Sequence, residues 1–380
     1  MQAKDRILIV GAGIGGLAAA AGLSRAGKTV TVVERRPSRD APGVGINQPA
    51  NSLRVLRRLG LLDALLTQGY VYDRLQFFDR DGHHIVDAPS SLGGDVPPNC
   101  ALSRKALSDA LMTAAVDAGV TIVSGVEVSA LDDDGASAGV EGHEQLGRFE
   151  LAVAFDGMKS AIRRQLFGPE LQPHFTGHAV WRVTVPRDPS VTCCQLFHGV
   201  DAKAGLIPTS ADEMYLFLVT PEPDNPRHDP DRFPDLLVAR LAEFGGVIGR
   251  IRDQMPPDAV IVYSPLHELI IEGDWHRGRI LLAGDAAHLS APHLTQGAAM
   301  ALEDAALLVD VIAEGGPLDA VLASFARRRL PRVGLVQKVS GGILREEMSV
   351  TAENYAASLD GLRAIPAKLA AVEAVLNQPY

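Results

Sequence analysis

The chain has 380 residues, beyond the size at which a single hydrophobic core stops growing, so two lobes are expected. At 47% hydrophobic and 22% charged, with no low-complexity block and no repeat period, the composition excludes extended disorder and solenoid architectures. A formal net charge of −10 argues against a nucleic-acid backbone as partner.

The start, Lys4-Asp5-Arg6 followed by Ile7-Leu8-Ile9-Val10, has an apolar run too short for a signal-peptide core. That run reads instead as a buried parallel strand, being β-branched and bounded by glycine. Gly11-Ala12-Gly13-Ile14-Gly15-Gly16 then opens a small-residue helix over 17–26. This is a G-x-G-x-x-G turn in its required context of strand, turn and helix: Gly11 permits the turn, Gly13 lets a pyrophosphate approach, and Gly16 lets helix and sheet pack closely. The helix N-terminus, with Ile14 and Gly15 at its start, turns free N–H groups toward the phosphates. A second strand over 29–33 ends at Glu34, 23 positions after Gly11 (34 − 11), the spacing at which an acid accepts hydrogen bonds from a ribose. Together these features predict a dinucleotide site.

Further along, the segments 74–78, 181–185, 192–198, 214–220 and 259–263 read as strands of a mostly antiparallel sheet, and 220–234, with five prolines, as a loop. Gly278 to His288 reads as another buried strand, ending in Gly284-Asp285, with a helix over 296–312 after it. A carboxylate at that strand end suits the polyol that joins a flavin to its pyrophosphate, which NAD lacks, so FAD is the expected dinucleotide. Arg327, Arg328, Arg329 and Arg332 read as the solvated end of a helix, complementing its dipole. Residues 335–380 read as helical, with breaks at Gly341-Gly342 and Pro366.

The three cysteines, Cys100, Cys193 and Cys194, are odd in number and fit a reducing cytoplasm, the expected location. The eleven histidines form no H-x-x-x-H pair or Cys/His cluster, so no metal site is expected. No stretch has membrane-spanning length without interruption, and no G-x-S-x-G nucleophile elbow is present. The chemistry is therefore expected to come from the cofactor.

Three ordered segments carry a family resemblance: the opening fingerprint with Glu34-Arg35, the run Asp156-Gly157-Met158-Lys159-Ser160-Ala161-Ile162-Arg163, and Gly284-Asp285 with 292–304. Arg104-Lys105-Ala106-Leu107 and Trp275-His276-Arg277-Gly278-Arg279 add two shorter matches. Over roughly its first 335 residues the chain resembles the single-component FAD-dependent aromatic hydroxylases, the para-hydroxybenzoate hydroxylase-like family. Its segment Pro292-His293-Leu294-Thr295-Gln296-Gly297-Ala298 is most similar to the branch containing 6-hydroxynicotinate 3-monooxygenase. It departs from the family at Phe155, where alanine is usual, at Val183, where glycine is common, and at Thr295.

The resemblance implies an α/β fold: a Rossmann-type FAD-binding domain with a parallel sheet (1–72, 99–172 and 264–330), interleaved with a mostly antiparallel substrate domain (73–98 and 173–263). A C-terminal helical region (331–380) follows. It implies that Glu34 holds the adenosine ribose, with Arg35 and Val128 near the adenine half. Arg104 reaches the phosphate or ribityl region, Asp285 binds the ribityl hydroxyls, Asp156 assists cofactor binding, and Pro292, Gln296, Gly297 and Ala298 border the flavin.

It also implies transient use of NAD(P)H, reaction of dioxygen at flavin C4a to a hydroperoxide, and hydroxylation of a small aromatic or N-heteroaromatic ring by a monomer or homodimer. Candidate ring contacts are Asn47, Tyr215 and Arg182, the last also readable as half of a structural ion pair, and His293, whose side chain is expected to project toward the flavin. His288 is expected to be structural. A flavin oxidase, a dehydrogenase or a non-catalytic flavin-binding regulator shares these motifs, whereas the Trp-x-Trp-x-Ile-Pro segment of a halogenase is absent.

Overall fold

The computed structural model describes residues 5–37 and 44–380. The strand Arg6–Val10 lies at the centre of a six-stranded sheet because all but its first residue are buried on both faces. It pairs in parallel with Thr29–Glu34 and Leu151–Ala154, and the sheet extends through Thr121–Ser124 on one side and Ile280–Leu282 on the other. Only the edge strand His276–Arg277 runs antiparallel. The helix Ile14–Arg25 packs between the helices Arg104–Asp117 and Gly297–Glu314. Its small residues make that approach possible, since a Cβ on Gly22 would lie 2.8 Å from Val309 Cγ2.

A second sheet of eight strands runs in the order 288–289, 261–270, 174–186, 213–221, 203–208, 194–198, 74–79, 84–89. All of its pairs are antiparallel except Cys194–His198 with Arg74–Asp79. The five expected strands are therefore present, but the one expected over 181–185 begins seven residues earlier, at 174, and the one expected over 259–263 runs seven residues further, to 270. Alternation gives the sheet two different faces. Trp181, Val183, Met214, Leu216 and Leu218 pack with Leu237, Phe244 and Ile248 on one side into a core of their own. Arg182, Lys203, Tyr215 and Phe217 alternate with them and point to the other side, toward the first lobe.

The C-terminal region differs from the sequence reading. A single helix, Leu318–Glu347, runs through Pro331 and straight through Gly341-Gly342. Gly341 serves close packing rather than a break: a Cβ there would sit 2.3 Å from Glu268 Oε1. The helix therefore crosses position 330 uninterrupted and reaches from the first lobe to the second sheet. Arg329 and Arg332 do not form a solvated face. They are buried, with only Arg327 and Arg328 exposed, because the run lies in mid-helix with one side turned onto Glu303 and Asp304. No helix among the described residues is long and apolar enough to cross a membrane.

Candidate active site

The glycine turn is built as its spacing requires. Gly11 has φ +104°, and a Cβ on it would meet Phe155 O at 2.5 Å. A Cβ on Gly16 would meet Gly11 O at 2.0 Å, so strand and helix touch there. Gly13 caps the helix with ordinary extended backbone, φ −76°, and has nothing within 4 Å of its missing Cβ. Open space above one glycine, flanked by two whose space is filled, is the shape a pyrophosphate needs. Phe155, the departure from the family pattern, packs its ring against Gly15 and Gly284, where added Cβ atoms would lie 2.8 and 3.3 Å from it. Glu34 ends its strand with one carboxylate oxygen held by Ala12 N–H at 2.9 Å and the other by Arg36 N–H at 3.0 Å. Arg35 beside it is exposed, and Val128 is buried in the first lobe's core.

The strand Ile280–Leu282 leads into a tight turn at Gly284, φ +59°, which brings Asp285 to the strand end. The Asp285 carboxylate has no hydrogen-bond partner among the described residues. Burial raises its pKa, opposed by nearby His288 and Arg104. Asp156 likewise keeps one carboxylate oxygen buried without a partner, and burial raises its pKa. Arg163, fully buried, ties this segment to the Gly-Asp turn by donating to Ala286 O at 3.1 Å and Met158 O at 2.7 Å. Arg104, the first residue of its helix, is exposed, and its charge acts on both Asp285 and Arg182.

Pro292 begins a short turn, Thr295 adopts a left-handed backbone with φ +53°, and Gln296 caps the helix Gly297–Glu314. Gly297, like Gly13, has nothing within 4 Å of its missing Cβ, and the N–H groups of Gly297 and Ala298 start the helix there. Asn47 donates to Thr295 Oγ1 at 3.1 Å and to Asn99 Oδ1 at 3.0 Å, fixing the turn to the strand Gly45–Pro49. Gln296 is buried against Asn51, whose amide also donates to Glu303 Oε1 at 2.7 Å. His288 bonds Asp304 Oδ2 at 2.6 Å and stacks on Trp275, the structural role expected of it.

Two ring-contact candidates sit differently from the sequence reading. The His293 side chain is only 1% exposed and lies against Glu347 Oε2 at 3.2 Å, turned into the protein interior. Arg182 has no ion pair among the described residues, and the ionisable groups that act on it are Tyr215, on its own face of the sheet, and Arg104, on a helix of the first lobe. Burial lowers its pKa, Tyr215 raises it and Arg104 lowers it further. Burial also keeps the Tyr215 phenol protonated well above neutral pH.

Sequence reasoning missed the ionic core that supports the site. Arg329 bonds Asp304 Oδ1 and Glu303 Oε2, both at 2.6 Å, and Arg332 donates to Glu303 Oε1 at 2.9 Å, with all four side chains at most 8% exposed. Adjacent acids inside an apolar helix, and two arginines three apart, were the available signal. The grouping Asp79, Asp81 and His83 is a turn, in which Asp79 Oδ1 accepts the backbone N–H groups of the other two.

These residues fit FAD: two glycine openings at helix N-termini for anionic groups, an unpartnered acid at the strand end for hydroxyls, and Arg104 beside it. Asp285→Ala should leave the fold intact and weaken FAD binding about 10- to 100-fold, the loss of one or two hydrogen bonds to a charged acceptor. A fluorescence titration giving the parent dissociation constant would remove the ribityl assignment.

Residues 4–339 match the model of the FAD binding domain family. The chain is 33% identical over 344 residues to 2-heptyl-3-hydroxy-4(1H)-quinolone synthase of Pseudomonas aeruginosa, covering 88% of this chain and 87% of that protein. It is 30% identical over 358 residues to 6-hydroxynicotinate 3-monooxygenase of Bordetella bronchiseptica, covering 90% and 91%. Its fold matches Klebsiella pneumoniae HpxO complexed with FAD and uric acid at a TM-score of 0.86, with 24% identity over 98% of this chain and 97% of that one. The chain belongs to the FAD binding domain family and is an FAD-dependent monooxygenase of the aromatic hydroxylase kind.

Proposed function

We propose that the enzyme hydroxylates a small aromatic or N-heteroaromatic ring, with NAD(P)H as reductant and dioxygen as oxidant. Ring C–H, NAD(P)H, a proton and dioxygen become ring C–OH, NAD(P)⁺ and water. FAD, when bound, accepts the hydride and activates dioxygen for transfer of one oxygen atom.

The observation that carries this reading is the electrostatic contact across the cleft. Arg104 on the first lobe acts on both Asp285 and, on the second sheet, Arg182, and Tyr215 beside Arg182 packs over Gly45, where a Cβ would lie 2.3 Å from its ring. On this reading that face of the second sheet turns a guanidinium and a protonated phenol toward the flavin, and Arg182 has no ion pair among the described residues. Arg182 would hold an ionised or carbonyl oxygen of the ring, and Tyr215 would donate to the same group, favouring the electron-rich form that hydroxylation requires. Asn47 and Pro292 would limit how the ring tilts, and the two lobes would exclude water. His293, turned inward, would act on the ring only through the loop it anchors.

The test is to measure NAD(P)H oxidation, ring hydroxylation and incorporation of labelled dioxygen across phenols and hydroxypyridines. Oxidation stimulated by a ring, with label in the product, supports the reading. Ring-independent oxidation without label favours an oxidase, and no oxidation at all favours a regulator. Arg182→Met should raise KM for a ring bearing an ionised oxygen about 10- to 100-fold while FAD content stays at the parent level. An unchanged KM would move the ring anchor elsewhere.

A further inference from the structure

Behind the loop that borders the flavin site lies a second buried ionic group, separate from the core at Glu303. Lys203 Nζ is 2.5 Å from Glu347 Oε2, and His293 Nε2 approaches the same oxygen at 3.2 Å. The three side chains are 5%, 11% and 1% exposed. His198, paired with Lys203 across the sheet, completes the group, with its ring stacked on Phe77. Burial holds the His198 pKa at about 4 and lowers that of His293, so both rings are neutral near pH 7. Glu347 stays ionised because the Lys203 ammonium, helped by a hydrogen bond from His293, outweighs its burial.

The three side chains Lys203, His293 and Glu347 come from three different places. Lys203 belongs to the second sheet, His293 to the loop before the helix Gly297–Glu314, and Glu347 is the last residue of the long helix Leu318–Glu347. The same three elements also meet through apolar contacts, in the cluster Val180, Val219, Leu266, Ala291 and Leu344. Apolar surface supplies adhesion there but little registry, because such contacts tolerate sliding and repacking. A single carboxylate shared by a buried ammonium and an imidazole has one satisfactory seat. A shift of the helix end away from Lys203 leaves a charge buried and uncompensated, and a shift of the loop costs the carboxylate its imidazole contact.

The long helix is anchored twice: by Arg329 and Arg332 to Glu303 and Asp304, and by Glu347 to the second sheet. Between those anchors hangs the segment 291–296, with its left-handed Thr295 and its bond to Asn47.

We propose that Glu347 is a positioning residue for the monooxygenase reaction, locking the loop 291–296 to the substrate-facing sheet through Lys203 and His293 and so fixing the ring relative to the flavin. This rests on the hydroxylase reading above. Its signature is coupling: a loosely held ring lets NAD(P)H, a proton and dioxygen end as NAD(P)⁺ and hydrogen peroxide instead of hydroxylated product and water.

Glu347→Gln alone strands the Lys203 ammonium in the interior and should lower Tm, so the informative protein is Lys203→Met/Glu347→Leu, which replaces the pair by apolar groups of similar size. Buried pairs replaced in this way usually leave stability near or above the parent value. The FAD-loaded double variant is compared with the parent for product and peroxide per NAD(P)H, for KM of the ring, and for hydrogen exchange over 289–297. The expected result is a Tm close to the parent's, exchange in that segment faster by about tenfold, product per NAD(P)H reduced by about twofold or more, and a raised KM. Parent-like exchange, or faster exchange with parent-like coupling, overturns the proposal. Faster exchange in a protein whose parent shows no ring-stimulated oxidation would keep the lock and sink the hydroxylase reading.

Discussion

Arg329→Met should destabilise the enzyme by about 3–5 kcal/mol, the usual result of removing one partner from a buried ionic group. Arg329 is fully buried and makes three kinds of contact at once: to Asp304, to Glu303 and to the carbonyl of Met300 at 3.1 Å. Methionine fills much of the volume but leaves Glu303 to Arg332 and Asn51, and Asp304 to His288 and Gly284 N–H. Urea unfolding of the FAD-loaded protein measures the loss. Arg327→Met, exposed on the same helix, is the control and should stay within about 0.5 kcal/mol of the parent. Equal effects from the two variants would show that the buried network contributes no more than a surface charge.

The same network predicts an acid limit. Asp304 is fully buried and its pKa is lowered from 3.8 to about 2: burial opposes the charge, but His288 and Arg329 more than offset it. A carboxylate with a depressed folded-state pKa contributes stability that is present above its unfolded value and lost as pH falls through the folded one. The loss should therefore run from just below pH 4 down to about pH 2. In Arg329→Met the lower end of that window should move to higher pH and the loss due to Asp304 should shrink, because one of the two groups lowering its folded-state pKa is gone.

How much of this was legible in the sequence depended on how local the physics is. The glycine turn, the two flanking strands, Glu34 and the Gly284-Asp285 strand end were readable because each is a short segment whose own conformation dictates its residues. Five strands of the eight-stranded sheet were readable for the same reason, through alternation, while 84–89, 203–208 and 288–289 were not singled out. What failed were statements about partners far apart in the chain. Gly341-Gly342 looks like a helix break until Glu268, more than seventy positions earlier, is placed against it. Arg329 and Arg332 look solvated until the acids of the neighbouring helix are brought beneath them. His293 follows Pro292, which was expected to border the flavin, yet its ring turns inward because Glu347, at the far end of another helix, is there to receive it. Arg182 was assigned an acid that the fold does not supply.

Gly13→Glu should abolish FAD binding while leaving the first lobe folded, and the contrast with its neighbours makes the result interpretable. Gly13 has φ −76°, which any residue adopts, and open space where its Cβ would be, so the fold itself does not demand glycine. Gly11 and Gly16 do demand it, because added Cβ atoms would press on backbone oxygens at 2.5 and 2.0 Å. A glutamate at 13 would project into the space above the helix N-terminus, setting a fixed negative charge against a diphosphate and competing for the same N–H groups. Two like charges about 4 Å apart repel by about 4 kcal/mol at an effective dielectric constant of 20, roughly three orders of magnitude in affinity before steric exclusion is counted. Gly13→Ala should retain FAD more nearly at the parent level, since a methyl group carries no charge and has no protein atom to meet. The measurement is bound flavin per protein by absorbance, with far-UV circular dichroism as the check on folding. A Gly13→Glu protein that folds and still carries stoichiometric flavin would mean that the pyrophosphate does not pass over this glycine, and the placement of the cofactor along the helix Ile14–Arg25 would have to be abandoned.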